Sequence, residues 1–209
     1  MRRLLKRPLR LSRAQVFVGK LGCHCIIAGL LGLTFFFGFT DQLGADPVDT
    51  LINFTGRNAI HLLLISLLVS PAAKHIPCGD IMRFRRMLGV YVFVYALAHF
   101  LVYVLFELQL NWALIFSEIT ERPYIVVGML ALLLLLAMTA TSFKRIQQKM
   151  GKHWHRLHNT IYLCVPLVLL HFSWSQKTLF ADPLVYWVVA AAILWLRKDK
   201  LLRLIPFNK

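Results

Sequence analysis

PYIVVGMLALLLLLAMTATS, residues 123–142, is the stretch that decides the fold class of this chain. It contains no charged side chain, and a helix that crosses the hydrocarbon core of a bilayer needs about 20 mostly apolar residues. Glu121 and Arg122 precede the stretch, and the basic segment 144–156 follows it. Because a backbone in lipid must satisfy its own hydrogen bonds, we expect a transmembrane helix here.

Five further apolar segments come close to this length. The chain of 209 residues is 58% hydrophobic and 16% charged, whereas a soluble domain is roughly 45–50% apolar and 25% charged. The sequence therefore predicts an all-α, integral membrane bundle of six transmembrane helices, in which residues 1–209 form a single domain in the lipid bilayer. The predicted spans are 17–39, 58–73, 87–106, 123–142, 157–174 and 182–196.

The basic residues indicate which ends of the spans face the cytoplasm. Of the 24 Lys and Arg residues, 21 lie in the segments 2–20, 74–86, 144–156 and 197–209. The alternate connections carry seven of the nine acidic residues. By the positive-inside rule this alternation places both termini in the cytoplasm. The net charge of +15 thus follows from membrane topology, and we predict no binding to nucleic acid.

Histidines inside the predicted spans are the candidates for chemistry, because ionisable residues are costly in lipid and usually functional there. His99 lies 13 residues beyond Arg86, and His171 lies 13 residues beyond His158, which is roughly 20 Å along each helix. His99 and His171 therefore lie at comparable depth in the outer halves of two outward-running helices. Haem iron between two helices takes one imidazole from each, so we predict that this pair binds haem.

Arg85 and His158 are candidates at the inner face. Arg85 precedes His99 by 14 residues, nearly on the same helix face, and its guanidinium suits a haem propionate or a flavin phosphate. His158 either binds a second haem with a ligand from elsewhere or forms hydrogen bonds at the inner face. On an ideal helix His158 and His171 point about 140° apart, although Pro166 can kink the helix between them. The other histidines are expected to pack between helices or face headgroups: His24, His61, His75, His153 and His155.

Alternative functions for the intramembrane histidines stay open at this point. They can be polar contacts between helices, or a proton relay in a small transporter, although the predicted spans contain no deep carboxylates. A ferric reductase or superoxide-generating oxidase with the same membrane core needs a flavin- and nicotinamide-binding domain. The 13 residues after the last predicted span are too few for such a domain, so the electron donor is expected to be another molecule.

Short motifs between the first and last predicted spans resemble one protein family. They are LGADP (43–47), FTGR (54–57), RRMLG (85–89), His99, RPY (122–124), LHN (157–159), Tyr162 and His171. In this order and separation they resemble the MsrQ (YedZ) family, the haem-binding membrane subunits of bacterial periplasmic methionine sulfoxide reductase systems. The resemblance implies a ferric-reductase-like transmembrane domain with one or two haem b groups and FMN as cofactors.

The resemblance also implies a role in the bacterial inner membrane. Electrons would pass from the quinone pool or a cytoplasmic flavin reductase to MsrP, a periplasmic molybdopterin enzyme that reduces methionine sulfoxide. The chain would then be an electron-transfer subunit, with the catalytic subunit separate. The family's haem histidines fall on His99, His158 and His171. Larger relatives have two histidines on each of two helices, and Arg85 stands here where the fourth is expected, which leaves the number of haems open.

Overall fold

The computed structural model describes residues 10–76, 78–176 and 182–202. In these ranges all regular structure is helical and no strand occurs, which confirms the predicted all-α class. A 3₁₀ turn (Gly79–Phe84) leads into the third helix, and a π-helical turn (Tyr103–Glu107) extends it. The helices are α1 (Arg13–Phe39), α2 (Pro47–His75), α3 (Arg85–Val102), α4 (Trp112–Glu121), α5 (Pro123–Ala140), α6 (Lys144–Met150), α7 (Lys152–Asn159), α8 (Ile161–Ser175), α9 (Asp182–Trp195) and α10 (Lys198–Leu202).

Five helical segments are long and apolar enough to cross a membrane, so the chain is a multi-pass membrane protein. The sixth predicted span, α9, is apolar but has only 14 residues, or roughly 21 Å against a hydrocarbon core of about 30 Å. Its crossing and the cytoplasmic termini stay predictions, and residues 1–9 and 203–209 lie outside the described ranges. The five segments are Arg13–Phe39, Pro47–His75, Gly79–Glu107, Pro123–Ala140 and Lys152–Ser175.

The helices α2, α3, α5 and α8 form the centre of the bundle. Helix α2 packs along α3, and α5 packs along α8. Helix α1 lies at the periphery with one buried residue, Val16. Tyr95 of α3 is almost fully buried, and its hydroxyl donates a hydrogen bond of 2.7 Å to the carbonyl of Ile27 in α1. Such a bond stabilises the contact, because an unpaired hydroxyl in an apolar environment is costly.

Prolines at the first helical position start two of the central helices. Pro47 opens α2 and Pro123 opens α5, where the missing N–H is one that no helix could satisfy. Before α2, the carboxylate of Asp46 accepts a hydrogen bond from the backbone N–H of Asp49 at 2.9 Å.

The fifth predicted span consists of two helices, α7 and α8. The break occurs at Thr160, between Asn159 and Ile161, rather than at Pro166, which lies inside α8. Thr160 keeps right-handed helical backbone angles, with φ −63° and ψ −9°, so α7 and α8 together still form one helical segment, Lys152–Ser175. His158 belongs to α7 and His171 to α8.

Candidate functional site

The side chains of His99 in α3 and His171 in α8 meet in the middle of the four central helices. Their ring centres are 6.1 Å apart, and the ring planes are at 86° to each other. Nδ1 of His99 lies 2.9 Å from the carbonyl oxygen of Ile52, and Nδ1 of His171 lies 2.7 Å from that of Tyr124. Since a carbonyl only accepts hydrogen bonds, each Nδ1 carries the proton, and each lone pair is on Nε2.

Two glycines allow the imidazoles to approach the neighbouring helices this closely. A Cβ at Gly56 of α2 would lie 2.9 Å from Nδ1 of His99, and a Cβ at Gly128 of α5 would lie 2.6 Å from Nδ1 of His171. Contacts this short do not persist, so any larger residue would displace the ring. Because glycine has no side chain, each ring can reach the backbone carbonyl of the residue one helical turn before the glycine.

The two halves of the site repeat one arrangement. In each half a carbonyl is followed four residues later by a glycine, and the histidine follows the carbonyl residue by 47 positions. The sequence interpretation found the histidines but missed the glycines and the carbonyl groups. The signal was the same separation between glycine and histidine in both halves of the chain: Gly56 with His99, and Gly128 with His171.

A cavity of about 820 Å³ surrounds the histidine pair. Its volume falls within the range of about 300–1,000 Å³ that is usual for cofactor sites. Apolar side chains such as Val92, Leu135 and Val168 line its deeper part. The polar residues that line it come mainly from the first turns of α2 and from the segment before α5, and include Asp49, Asn53, Arg57 and Glu118.

The residues of this cavity fit haem. With Nδ1 of each imidazole bonded to a backbone carbonyl, Nε2 is the nitrogen of each ring that could bind iron, and the ring centres are 6.1 Å apart. The described ranges contain no group of three or more His, Cys, Asp or Glu side chains that could hold a bare metal ion. Two imidazoles are sufficient when a macrocycle supplies the other ligands.

His158 lies apart from this pair, on α7. Its Nε2 is 3.1 Å from the hydroxyl oxygen of Thr141, and its ring stacks on Trp154 with centres 3.9 Å apart at 25°. Nε1–H of Trp154 donates to the carbonyl of Thr141 at 2.9 Å. These contacts are those of the hydrogen-bonding alternative, while a role for His158 as an iron ligand stays a prediction.

Arg85 belongs to a basic cluster with Arg197 and Lys200. The guanidinium of Arg197 lies 5.2 Å from the centre of the Tyr162 ring, and Nζ of Lys200 lies 5.9 Å from the same centre. Burial, Arg85 and Arg197 together lower the pKa of Lys200. Along α3, Arg85 is about 21 Å from His99, and it does not line the cavity around the histidine pair.

His24 and His61 form hydrogen bonds between helices, as the sequence predicts. Nδ1 of His24 in α1 is 2.8 Å from the hydroxyl of Tyr91 in α3. Nε2 of His61 in α2 is 2.7 Å from the hydroxyl of Tyr186 in α9. Neither histidine lines the cavity.

Ion pairs lie at the end of the bundle that holds the histidine pair. Nη1 of Arg57 is 3.0 Å from Oδ2 of Asp182, which joins α2 to α9. Nε of Arg122 is 3.0 Å from Oε2 of Glu118, and its Nη1 donates to the hydroxyl of Tyr124 at 3.0 Å. The hydrogen bond to Tyr124 and the charge of Glu118 raise the pKa of Arg122. Arg122 therefore stays charged at any physiological pH.

Comparison with known proteins agrees with the fold. The family model described as "Ferric reductase like transmembrane component" matches residues 55–169, the part of the chain that contains α3 and α5 and most of α2 and α8. Fold and match together define a ferric-reductase-like transmembrane component.

Relatives with higher sequence similarity identify the family within this class. Curated proteins from Salmonella paratyphi B and Salmonella heidelberg are each named "Protein-methionine-sulfoxide reductase heme-binding subunit MsrQ". Each is 42% identical to this chain over 195 residues, which cover 92% of this chain and 97% of the relative. The chain belongs to the MsrQ family, as the motifs in its sequence indicate. No solved structure matches it significantly.

Proposed function

We propose that this chain is a transmembrane b-type cytochrome subunit that holds haem between His99 and His171 and passes electrons across the membrane. The observation that carries the proposal is the separation of 6.1 Å between the two rings, inside a cavity of about 820 Å³. When bound, haem supplies one-electron chemistry. The chain itself ligates the iron and surrounds the haem with apolar residues.

The residues around His99 and His171 make the two imidazoles suitable ligands for haem iron. The carbonyls of Ile52 and Tyr124 accept from Nδ1–H of the two imidazoles, which fixes the tautomer and makes Nε2 a stronger ligand. Apolar residues such as Val92 and Val168 line the cavity and would surround bound haem with an environment of low polarity. Such burial and hydrogen bonding set the reduction potential of haem in proteins.

We further propose a direction for the electrons, with six spans and both termini in the cytoplasm of a bacterium. Electrons enter from the quinone pool or a cytoplasmic flavin reductase and leave at the periplasmic face to an MsrP-type molybdopterin subunit. The alternating basic connections support this topology, and the names of the relatives support a separate reductase subunit. The basic cluster of Arg85, Arg197 and Lys200 is the candidate site for the phosphate of FMN or the propionates of a second haem.

A reduced-minus-oxidised spectrum with haem quantified per polypeptide tests the central site. We expect His99→Ala and His171→Ala to lose the absorbance of the haem held between these two histidines, measured as a fall in haem per polypeptide. His24→Ala and His61→Ala are matched controls, since each removes an intramembrane imidazole that lies outside the cavity, and they should keep that haem. A His99→Ala protein with the full wild-type absorbance would rule out the assigned site. A colourless wild-type protein would favour a proton relay instead.

A further inference from the structure

We infer that Arg57 binds a propionate of the haem and raises its reduction potential, and that Asp182 competes for the same guanidinium. The inference rests on the proposed haem between His99 and His171. It adds to that site a cofactor-binding arginine that does not ligate iron.

Arg57 is placed to reach the haem cavity from α2. It directly follows Gly56, whose Cα faces the ring of His99. Side chains on a helix lean toward its N-terminus, so the guanidinium extends back toward the first turns of α2, where the cavity is polar. Arg57 itself lines the cavity.

The charge balance of the cavity requires a cation near the haem edge. Haem b carries two propionates, and an ionised carboxylate is costly to bury without a partner. Across residues 10–76, 78–176 and 182–202, Arg57 is the one Lys or Arg that lines the cavity. The other charged residues that line it are carboxylates, which repel a propionate: Asp46, Asp49, Glu107 and Glu118.

Arg57 has a buried donor that the protein leaves unused. Its Nε is buried and has no hydrogen-bond partner within the described part of the chain, while Nη1 contacts Asp182 at 3.0 Å. A guanidinium presents its donors in a rigid fork and can serve two carboxylates at once. A link between α2 and α9 explains the contact to Asp182, but it does not explain a buried Nε without an acceptor.

Reduction potentials distinguish this role from a structural one. Reduction adds one negative charge to the haem, so a nearby cation favours the reduced form and a nearby anion disfavours it. We expect Arg57→Gln to lower the midpoint potential by about 59 mV, which is a tenfold change in the ratio of reduced to oxidised haem for one electron. Asp182→Asn should shift the potential in the opposite direction.

Arg122→Gln is the matched control for charge. It also removes an arginine from this end of the bundle, but Arg122 is paired with Glu118 and Tyr124 and does not line the cavity. Its shift should be several-fold smaller than that of Arg57→Gln. Equal shifts in the two variants would overturn the inference.

Haem dimethyl ester, whose propionates carry no charge, gives the decisive test. Full-length wild-type and Arg57→Gln proteins are made in haem-deficient cells and reconstituted with haem or with the ester. Arg57→Gln should retain haem less well than wild type, whereas the two proteins should retain the ester equally, because the ester has no carboxylate for the guanidinium to bind. An equal loss of retention with haem and with the ester would show that Arg57 does not bind a propionate, and would overturn the inference.

If Arg57→Gln binds haem too weakly for its potential to be measured, the haem content of the purified variants tests the inference instead. Arg57→Lys keeps the charge without the guanidinium fork, so its haem content should lie between those of wild type and Arg57→Gln. If Arg57→Lys contained no more haem than Arg57→Gln, the inference would be contradicted. A wild-type spectrum that does not depend on His99 would instead contradict the proposed function, which is measured separately.

Discussion

At His99 and His171 the imidazole rests against the backbone of a neighbouring helix, because Gly56 and Gly128 have no Cβ. The adjacent carbonyl then accepts from Nδ1–H. Close contact and hydrogen bond together fix both the position and the tautomer of each ring. The glycines therefore prepare the lone pairs on Nε2 for a metal as directly as the choice of histidine does.

Substitution of these glycines tests this role. In Gly128→Ala the new Cβ would lie 2.6 Å from Nδ1 of His171, and in Gly56→Ala it would lie 2.9 Å from Nδ1 of His99. Overpacking of this kind costs about 1–3 kcal/mol, so we expect haem binding about 5- to 150-fold weaker, with the larger loss in Gly128→Ala. Haem per polypeptide during dilution or heating measures it. Gly89→Ala meets open space and should behave like wild type, and wild-type haem retention in Gly128→Ala would contradict the role.

The histidines could be predicted from sequence, whereas their partners could not. The rise of a helix gives the depth of His99 and His171, and imidazole in a membrane span is rare enough to stand out. Every residue has a carbonyl, so nothing marks those of Ile52 and Tyr124 before the neighbouring helices are known. A glycine likewise shows its function only when the side chain opposite it is known.

Among the elements, α7 contacts the end of α5 through His158. The hydroxyl of Thr141 donates to the carbonyl of Ala137 at 2.7 Å, so its oxygen is left to accept from Nε2–H of His158 at 3.1 Å. The proton of His158 is then on Nε2. Together with Trp154, which also bonds Thr141, this histidine joins α7 to the end of α5.

Thr141→Val tests whether His158 acts through this hydrogen bond. Loss of the acceptor should lower the free energy of unfolding by about 0.5–1.5 kcal/mol, while the haem between His99 and His171 keeps its absorbance. Thermal denaturation and the reduced-minus-oxidised spectrum measure the two effects. Thr139→Val is the control, since the hydroxyl of Thr139 has no hydrogen bond in the described ranges, and it should leave stability unchanged. A loss of haem in Thr141→Val would contradict the purely structural role.

Helix α2 shows where prediction of the elements from hydropathy stops. Its predicted span was 58–73, but the helix begins at Pro47 and continues past Pro71 to His75. The predicted span leaves out Asp49, Asn53 and Arg57, because these residues are polar. Their spacing of four residues puts them on one helix face, and Nδ2 of Asn53 donates to Asp49 at 3.0 Å. Apolar length alone cannot detect a helix that begins outside the hydrocarbon.

Across the described part of the molecule, most acidic residues lie at the end of the bundle that holds the histidine pair, and most basic residues lie at the other end. Asp182 at the start of α9 pairs with Arg57, whereas Arg197 beyond its end is 5% exposed and donates to the carbonyl of Leu67 at 3.1 Å. Helix α9 is thus anchored to α2 at both ends, although its 14 residues are short for a span. Anchors of this kind allow a short helix to cross where flanking residues extend it or the bilayer thins locally.

Two reporter fusions that differ only by the last part of the chain test whether α9 crosses the membrane. Alkaline phosphatase is active only in the periplasm, so a fusion after Gln176 should be active and a fusion after Lys209 inactive. Green fluorescent protein at the same two positions should give the opposite result, because it fluoresces in the cytoplasm. The reason is the asymmetry of charge, with Asp182 before α9 and Arg197, Lys198 and Lys200 after it, which retains the basic end in the cytoplasm. Active phosphatase at both positions would show that α9 stays on the periplasmic side and that the chain has five spans.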